Sequence, residues 1–304
     1  MIEHIVMSGG GPNGVIQLGM LKTLHEAGMF RLSDLKSIYA TSAGAILAVF
    51  VLIDVPFDDV CTYIIKRPWD KWLKMDLLAF NESKGLIDHK HIQEVLTPFF
   101  KLKNIPTDIT LADFYQRVPV DFHMYCTALK TLDLVDLSHT THPTLPLLKA
   151  MTMSSAFVPL FTPILHDGVY YVDGGIRNNF PINFIPKDAA KDSVLAINML
   201  VRCIEFEFEK MNVLDMFLHF IFNTIKHINK SPVQHEIALQ YKYYFFFNVS
   251  SVMKCSAWSD FFQEEYRQKL MDQGIELGKE FRSKWVCTES SEGILKPATT
   301  GAPN

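Results

Sequence analysis

The sequence predicts an α/β fold in which parallel strands bring their carboxyl ends to one shared edge. Three observations carry this. A short apolar stretch, Ile5-Val6-Met7, runs straight into the glycine-rich segment Gly9-Gly10-Gly11-Pro12-Asn13-Gly14. Val15 to Ala27 follows, with apolar residues at Ile16, Met20, Leu21 and Leu24, which is helical spacing. A second apolar stretch, Leu35 to Ala40, ends in Thr41-Ser42-Ala43-Gly44 and opens into another apolar helix. A strand–helix–strand unit with so short a crossover makes two parallel, neighbouring strands joined with a right-handed connection. Both loops then follow strand carboxyl ends, where open α/β sheets place their sites.

Gly28 is a suitable stop for the first helix. The second, from Ala43 to Ile53, is the longest wholly apolar run, and Asp54 ends it. A membrane span needs about 20 apolar residues, so this run is expected to be a buried helix. Pro56 to Phe114 reads as mainly helical, and Val118 to Thr127 alternates as a strand does. Leu147 to Ala156 is a helix that ends before Pro159. Gly168 to Asp173 is a strand that opens into a tight turn at Gly174-Gly175. Val194 to Leu200 is a further strand, Val213 to Ile228 a helix, Tyr241 to Val249 a strand rich in aromatics, and Phe261 to Trp285 a final helix. The tail from Glu289 to Asn304 is small, polar and proline-containing, and is expected to be disordered. The expected organisation is a motif-bearing region, 1–190, with 191–288 as the C-terminal part of the same domain.

Hydrophobic residues make up 48% of the 304 and charged residues 20%, the profile of a folded globular protein. The formal net charge of −4 favours neither nucleic acid nor an anionic membrane as a partner. Any membrane contact must come from a local patch. Cys61, Cys126, Cys203, Cys255 and Cys287 are scattered, odd in number and free of any CxxC pair. That argues against a disulfide framework or a zinc site and fits a reducing compartment. None of the eleven histidines lies in an HxxxH or HExxH arrangement, so no metal site is expected. The first residues, MIEHIVMSGGG, do not read as a secretory signal. The expected location is cytoplasmic, with peripheral contact at membranes.

Three segments carry chemistry. Glycines 9 to 14 let the backbone turn sharply and offer N–H groups to a negative ligand at a helix start. The segment matches GxGxxG, and alone it fits a nucleotide loop equally well. A dinucleotide fold, however, wants an acidic residue at the end of the second strand, and Ala40-Thr41-Ser42 stands there. A serine between small residues, after a strand and before a helix, is a nucleophile elbow. The competing reading of Ser42 is a helix cap. Asp173-Gly174-Gly175 is either an ordinary turn or a carboxylate held at a sheet edge.

In order and spacing, Gly9 to Gly14, Ala40 to Gly44 and Asp173 to Gly175 resemble the three signatures of patatin-like phospholipases. Met153-Ser154-Ser155-Ala156-Phe157-Val158-Pro159-Leu160-Phe161 resembles the family's Ser-Ser-Ala-x-x-Pro-x-Phe segment. Tyr171 to Pro181 resembles its Asp-Gly-Gly…Asn-x-Pro segment. The resemblance covers roughly the first 190 residues. It implies a three-layer α/β/α fold with a largely parallel central sheet, and a Ser42–Asp173 dyad without a catalytic histidine. It implies hydrolysis of an acyl ester in a phospholipid or related lipid, without calcium or any cofactor, and transient contact with the membrane surface. Gly9, Gly10, Gly11 and Gly14 would form the oxyanion hole, with the N–H groups of Gly10 and Gly11 as donors. Ala40, Gly44, Gly174 and Gly175 would shape the elbow and the turn. Ala40 stands where the family has glycine, which is expected to strain the elbow. Asn13 stands where the family has Arg or Lys, which removes a positive charge.

Two other readings stay open. One is an α/β-hydrolase with a Ser–Asp–His triad, for which His235, after Ser231-Pro232, has the loop setting required; the spacing from glycine loop to Ser42 leaves room for only one helix and counts against it. The other is a lipid-binding protein with a silenced site.

Two segments bear on lipid contact. Lys66 to Lys74 interleaves basic and aromatic residues as an interfacial helix would, although Trp69 and Trp72 are more simply packed inward. Along Val213 to Ile228, Asp215, His219, Asn223 and Lys226 form a narrow polar stripe. The wide apolar remainder means either membrane contact, as a lid or lipid-facing helix, or burial, and burial as the roof of the site is the expected one.

Overall fold

The computed structural model describes residues 1–72, 84–201, 209, 213–228, 232–249 and 260–289. The expected tail from 290 onward, and Leu73 and Lys74 of the basic–aromatic segment, lie outside them.

A single sheet of eight strands organises the chain. Strand β1 (His4–Met7) runs parallel between β2 (Ser37–Thr41) and β7 (Val194–Val201). Beyond β2 lies β3 (Asp121–Ala128) and beyond β7 lies β8 (Tyr243–Val249), both also parallel. Three short strands run antiparallel: β4 (Leu134–Leu137) and β6 (Val169–Asp173) on β3, and β5 (Ile164–His166) on β6.

Alternation of side chains splits the core in two, because successive residues of a strand face opposite ways. Ile5, Met7, Ile38, Ala40, Leu195 and Ile197 join the larger helical layer. It contains α1 (Gly14–Glu26), α2 (Ala43–Leu52), α3 (Phe57–Lys66), α4 (Trp69–Trp72), α5 (Lys90–Leu102), α6 (Leu111–Arg117) and α7 (Leu147–Ser155). Val6, Tyr39, Tyr125, Val194 and Ala196 face the other way, against Phe180, Ile182, Ile185 and Ala238. Two further helices, α8 (Val213–Ile228) and α9 (Pro232–Ala238), follow β7, and a long α10 (Glu264–Glu289) closes the described chain. The architecture is the three-layer α/β/α arrangement. Helix α10 lies directly on α1: a Cβ at Gly274 would sit 2.1 Å from the Ile16 carbonyl oxygen, so only glycine permits this crossing.

Three differences from the sequence reading have physical causes. Strands β4 and β5 are four and three residues long, too short for alternation to register. Residues 232–238 form a helix instead of a loop: Pro232 occupies a helix start, where its missing N–H costs nothing. Helix α8 meets its expected orientation only in part: Leu218 is buried and the half-buried Phe222 and Ile225 line the cavity described below, but the exposed side is not simply the polar stripe. Asp215, His219 and Asn223 are half-buried, whereas Val213, Phe217, Phe220 and Ile228 are exposed. Trp69 is buried as read, and its Nε1 donates to the Ile64 carbonyl oxygen at 2.8 Å.

Candidate active site

Ser42 is the first residue after β2 and the last before α2. Its backbone has φ 55° and ψ −125°, a left-handed region that a side-chain-bearing residue rarely occupies. Such strain persists only where neighbours hold it in place. Here the Ser42 N–H donates to the buried Ser154 hydroxyl at 3.0 Å, and the Ser42 carbonyl accepts from the Ala45 N–H at 2.8 Å. The Ser42 side chain makes no cap bond to α2, so the helix-cap reading does not hold. Its hydroxyl donates instead to Asp173 Oδ2 at 2.5 Å. The strain belongs to Ser42 itself. Ala40 lies within regular strand, in register with Met7 and Met124.

Close approach explains the small residues around it. A Cβ on Gly44 would lie 2.8 Å from the Ser8 carbonyl oxygen and 2.9 Å from that of Met7, so α2 could not start against the end of β1. A Cβ on Gly9 would lie 2.8 Å from the Ser42 Cβ. The glycine loop and the serine turn are therefore in van der Waals contact.

Asp173 ends β6 and is buried. Its Oδ1 accepts from the Gly175 N–H at 2.7 Å, and its backbone is fixed by Thr127 Oγ1, which donates to its carbonyl at 3.0 Å. Burial pushes its pKa up from the ordinary carboxylate range to about 6, against the bonds from Ser42 and Gly175 that pull it down. A carboxylate at that value is ionised at neutral pH yet basic enough to take a proton.

The glycine loop is tied from three sides. The Gly9 N–H donates to the Asn179 carbonyl at 3.1 Å, and Asn179 Nδ2 returns a bond to the Gly9 carbonyl at 3.2 Å. Ser8 Oγ accepts from the Met199 N–H at 2.8 Å and from Gln17 Nε2 at 3.2 Å. Gly11 has φ 54°, which favours glycine. Among the described residues no acceptor is found for the N–H of Gly10 or Gly11. Both residues line the cavity that Ser42 and Asp173 face. Asn13 is buried beside the loop and does not line it.

That cavity has a volume of about 730 Å³. Its apolar part follows one stripe of α2, through Ala43, Ile46, Leu47 and Phe50, and continues over Trp69 and Phe261. Ser42 and Phe50 are eight positions apart, about 12 Å of helix rise. Its polar part carries Asn179, Asn198, Gln234, His235, Tyr244 and Lys226. Apart from Asp173, no carboxylate lines it among the described residues.

The sequence-read residues Gly9, Gly10, Gly11, Gly14, Ser42, Asp173 and Gly175 converge on this cavity, with Ala40, Gly44 and Gly174 packed behind them. His235 lines the cavity too, but from a helix. Its Nδ1 stands 3.3 Å from the Tyr244 hydroxyl, while the Ser42–Asp173 bond is direct. Sequence reasoning assigned no task to Ser154 or Asn179, although both lie in segments it singled out. It passed over Met199 and Lys226 as parts of the site. The Ser155 hydroxyl is also new here: it is buried, lines the cavity and has no partner among the described residues, which leaves it open to bond an occupant. Among the described residues, no group of three His, Cys, Asp or Glu could hold a metal ion.

A family model described as patatin-like phospholipase matches residues 5–184. The chain is 23% identical over 188 residues to probable lipid hydrolase 463L of Invertebrate iridescent virus 6, a match covering 61% of this chain and 63% of that protein. It is 23% identical over 193 residues to uncharacterized protein R571 of Acanthamoeba polyphaga mimivirus, covering 62% and 63%. The chain thus spans about 63% of the length of these curated relatives. Among solved structures, VipD from Legionella pneumophila aligns at 16% identity with a TM-score of 0.54, over 93% of this chain and 67% of that one. At that identity the likeness concerns the fold.

Proposed function

Because the chain belongs to the patatin-like phospholipase family, we propose that it hydrolyses fatty-acyl esters of lipids, with Ser42 as nucleophile and Asp173 as base. The observation that carries this is the direct 2.5 Å bond between the strained Ser42 hydroxyl and a buried carboxylate lifted to about 6.

Asp173 takes the hydroxyl proton as Ser42 Oγ attacks the acyl carbonyl carbon. The negative oxygen of the tetrahedral intermediate is received by the N–H groups of Gly10 and Gly11, each such donor contributing roughly 3–4 kcal/mol in comparable sites. Asp173 returns the proton to the leaving alkoxide, and the acyl group stays on Ser42. Asp173 then deprotonates a water molecule that attacks the ester, and the proton passes back to Ser42 as the fatty acid leaves. The apolar stripe along α2 receives the acyl chain, and the polar side with Lys226 receives the head group. Backbone donors answer the charge and Asp173 carries the proton, so the reaction proceeds without calcium.

Labelling by a fluorophosphonate probe tests the nucleophile. The wild-type chain should be labelled and Ser42→Ala should not. A lipid-panel assay with and without EDTA tests the substrate class and the calcium requirement; turnover abolished by EDTA would remove the metal-free mechanism.

A further inference from the structure

The apolar part of the cavity ends against a wall of two aromatic rings. Trp69 and Phe261 both line it, and their ring centroids are 5.3 Å apart. They are only 4% and 8% exposed. A side chain at an open exit would touch solvent, so the channel closes behind these rings. Ile64 of α3 lines the same end and is buried with them.

One buried arginine holds the wall together. Arg267, on α10, is 2% exposed. Its Nε and Nη2 donate to the Ile65 carbonyl at 3.0 and 2.5 Å, and Nη2 donates also to the Arg67 carbonyl at 3.2 Å. Its Nη1 donates to the Phe261 carbonyl at 2.7 Å. The last carbonyls of a helix lack intrahelical partners, and the helix dipole favours a cation beside them. The guanidinium thus ties the chain that carries Trp69 to the chain that carries Phe261. Trp69 is held from a second side, by its bond to the Ile64 carbonyl and by the Arg67 guanidinium 5.4 Å from its ring centroid. A wall packed this closely yields little to one more methylene.

Helix α2 sets the depth of the channel. Phe50 is its last residue to line the cavity, about 12 Å of helix rise beyond Ser42. Packed groups continue from there to the wall. Phe50 meets Phe99 at 4.9 Å, Phe99 meets Tyr63 at 4.8 Å, and the Arg67 guanidinium lies 4.9 Å over Tyr63 and also over Trp69. Carbon–carbon bonds of about 1.5 Å meeting at about 111° advance an extended alkyl chain by about 1.25 Å per carbon, so ~12 Å holds about ten carbons. A longer chain meets the rings before its carbonyl reaches Ser42.

We propose that the Trp69–Phe261 wall measures the acyl chain, so that the protein prefers acyl groups of about ten carbons to palmitoyl chains. This rests on the lipid-hydrolase reading of the site and adds to it the length of chain that the site takes.

The test is hydrolysis of p-nitrophenyl esters from butyrate to palmitate in one fixed detergent. Each methylene that enters the channel is worth about fourfold. The wild-type kcat/KM should therefore climb up to decanoate and fall at least ~10-fold from there to palmitate. Trp69→Ala opens the wall and should raise the palmitate-to-decanoate ratio at least ~10-fold. That ratio is taken within one preparation, so a partly unfolded variant does not distort it. The milder Trp69→Leu should move it in the same direction. A wild-type kcat/KM that keeps rising to palmitate overturns the proposal, as does an unchanged ratio in both variants. If no ester is cleaved at any length, the hydrolase reading fails, and calorimetric titration of the wild-type chain with decanoate and palmitate decides on the wall alone. Tighter binding of decanoate upholds it; equal or tighter binding of palmitate, or binding of neither, overturns it.

Discussion

The Ser42 hydroxyl donates to Asp173 Oδ2 at 2.5 Å, and this bond joins β2 to β6 across the intervening strand β3. Because β6 runs antiparallel to β3, its carboxyl end returns to the level of Cys126, close to where β2 releases Ser42. The two groups meet without any third side chain between them. Asp173→Asn keeps the shape but cannot accept the proton, and kcat should fall by at least ~10³-fold. His235→Ala should leave most of the turnover, since the direct partner of Ser42 is intact. Steady-state kinetics of both variants on one soluble ester decide this, and the reverse pattern would mean a histidine-dependent hydrolase.

The pH profile should show an acid limb near pH 6. Asp173 must be ionised to act as base, and burial has raised its pKa to about 6. Activity is therefore full above that value and lost as pH falls below it. An unperturbed histidine titrates at about 6.5, so the position of the limb does not separate the two groups. Persistence does: kcat/KM of His235→Ala should keep the same limb. Its disappearance in that variant would assign the limb to the imidazole.

The same shift has a cost in stability. With the folded pKa raised, the contribution of Asp173 is most favourable below its unfolded value and is lost as pH rises through about 6. A folded pKa of about 6 against the ordinary carboxyl value of about 3.9 corresponds to ~3 kcal/mol. Asp173→Asn removes the buried charge, so its Tm at pH 8 should exceed that of the wild type, and the gap should close toward pH 4. Thermal melts at the two pH values measure it; a lower Tm for the variant at pH 8 would contradict the assignment.

Gly10 is constrained by a neighbour, not by its own backbone. Its φ of −173° suits any residue, but a Cβ there would fall 1.6 Å from the Met199 Cε. Gly10→Ala must displace either the Met199 tip or the loop, and a displaced loop moves the oxyanion donors. We expect kcat to drop 10²–10³-fold, the cost of losing one such donor, in a folded protein. Combining it with Met199→Ala makes room and should restore part of that loss. Equal turnover of the single and double variants would show that Met199 does not mediate the effect.

The order of strand, glycine loop, helix, strand, serine turn and helix was legible in the sequence because each step is local. Periodicity reports which residues share a face, and small residues at Gly9, Gly44 and Gly174 report where backbones crowd. Asp173-Gly174-Gly175 could be picked out by pattern, but 131 positions separate Asp173 from Ser42, and no local rule brings them together. Only the antiparallel return of β6 on β3 does that, and only its burial raises the carboxyl toward 6. The supporting bonds from Ser154, Thr127 and Asn179 likewise depend on chain crossings that sequence spacing does not encode. Helix α8 shows the limit most directly. Its two stripes were visible in the sequence, yet which of them faces water is a property of what the helix packs against. Amphipathicity fixes the angle between the faces of a helix, and tertiary contacts set their direction.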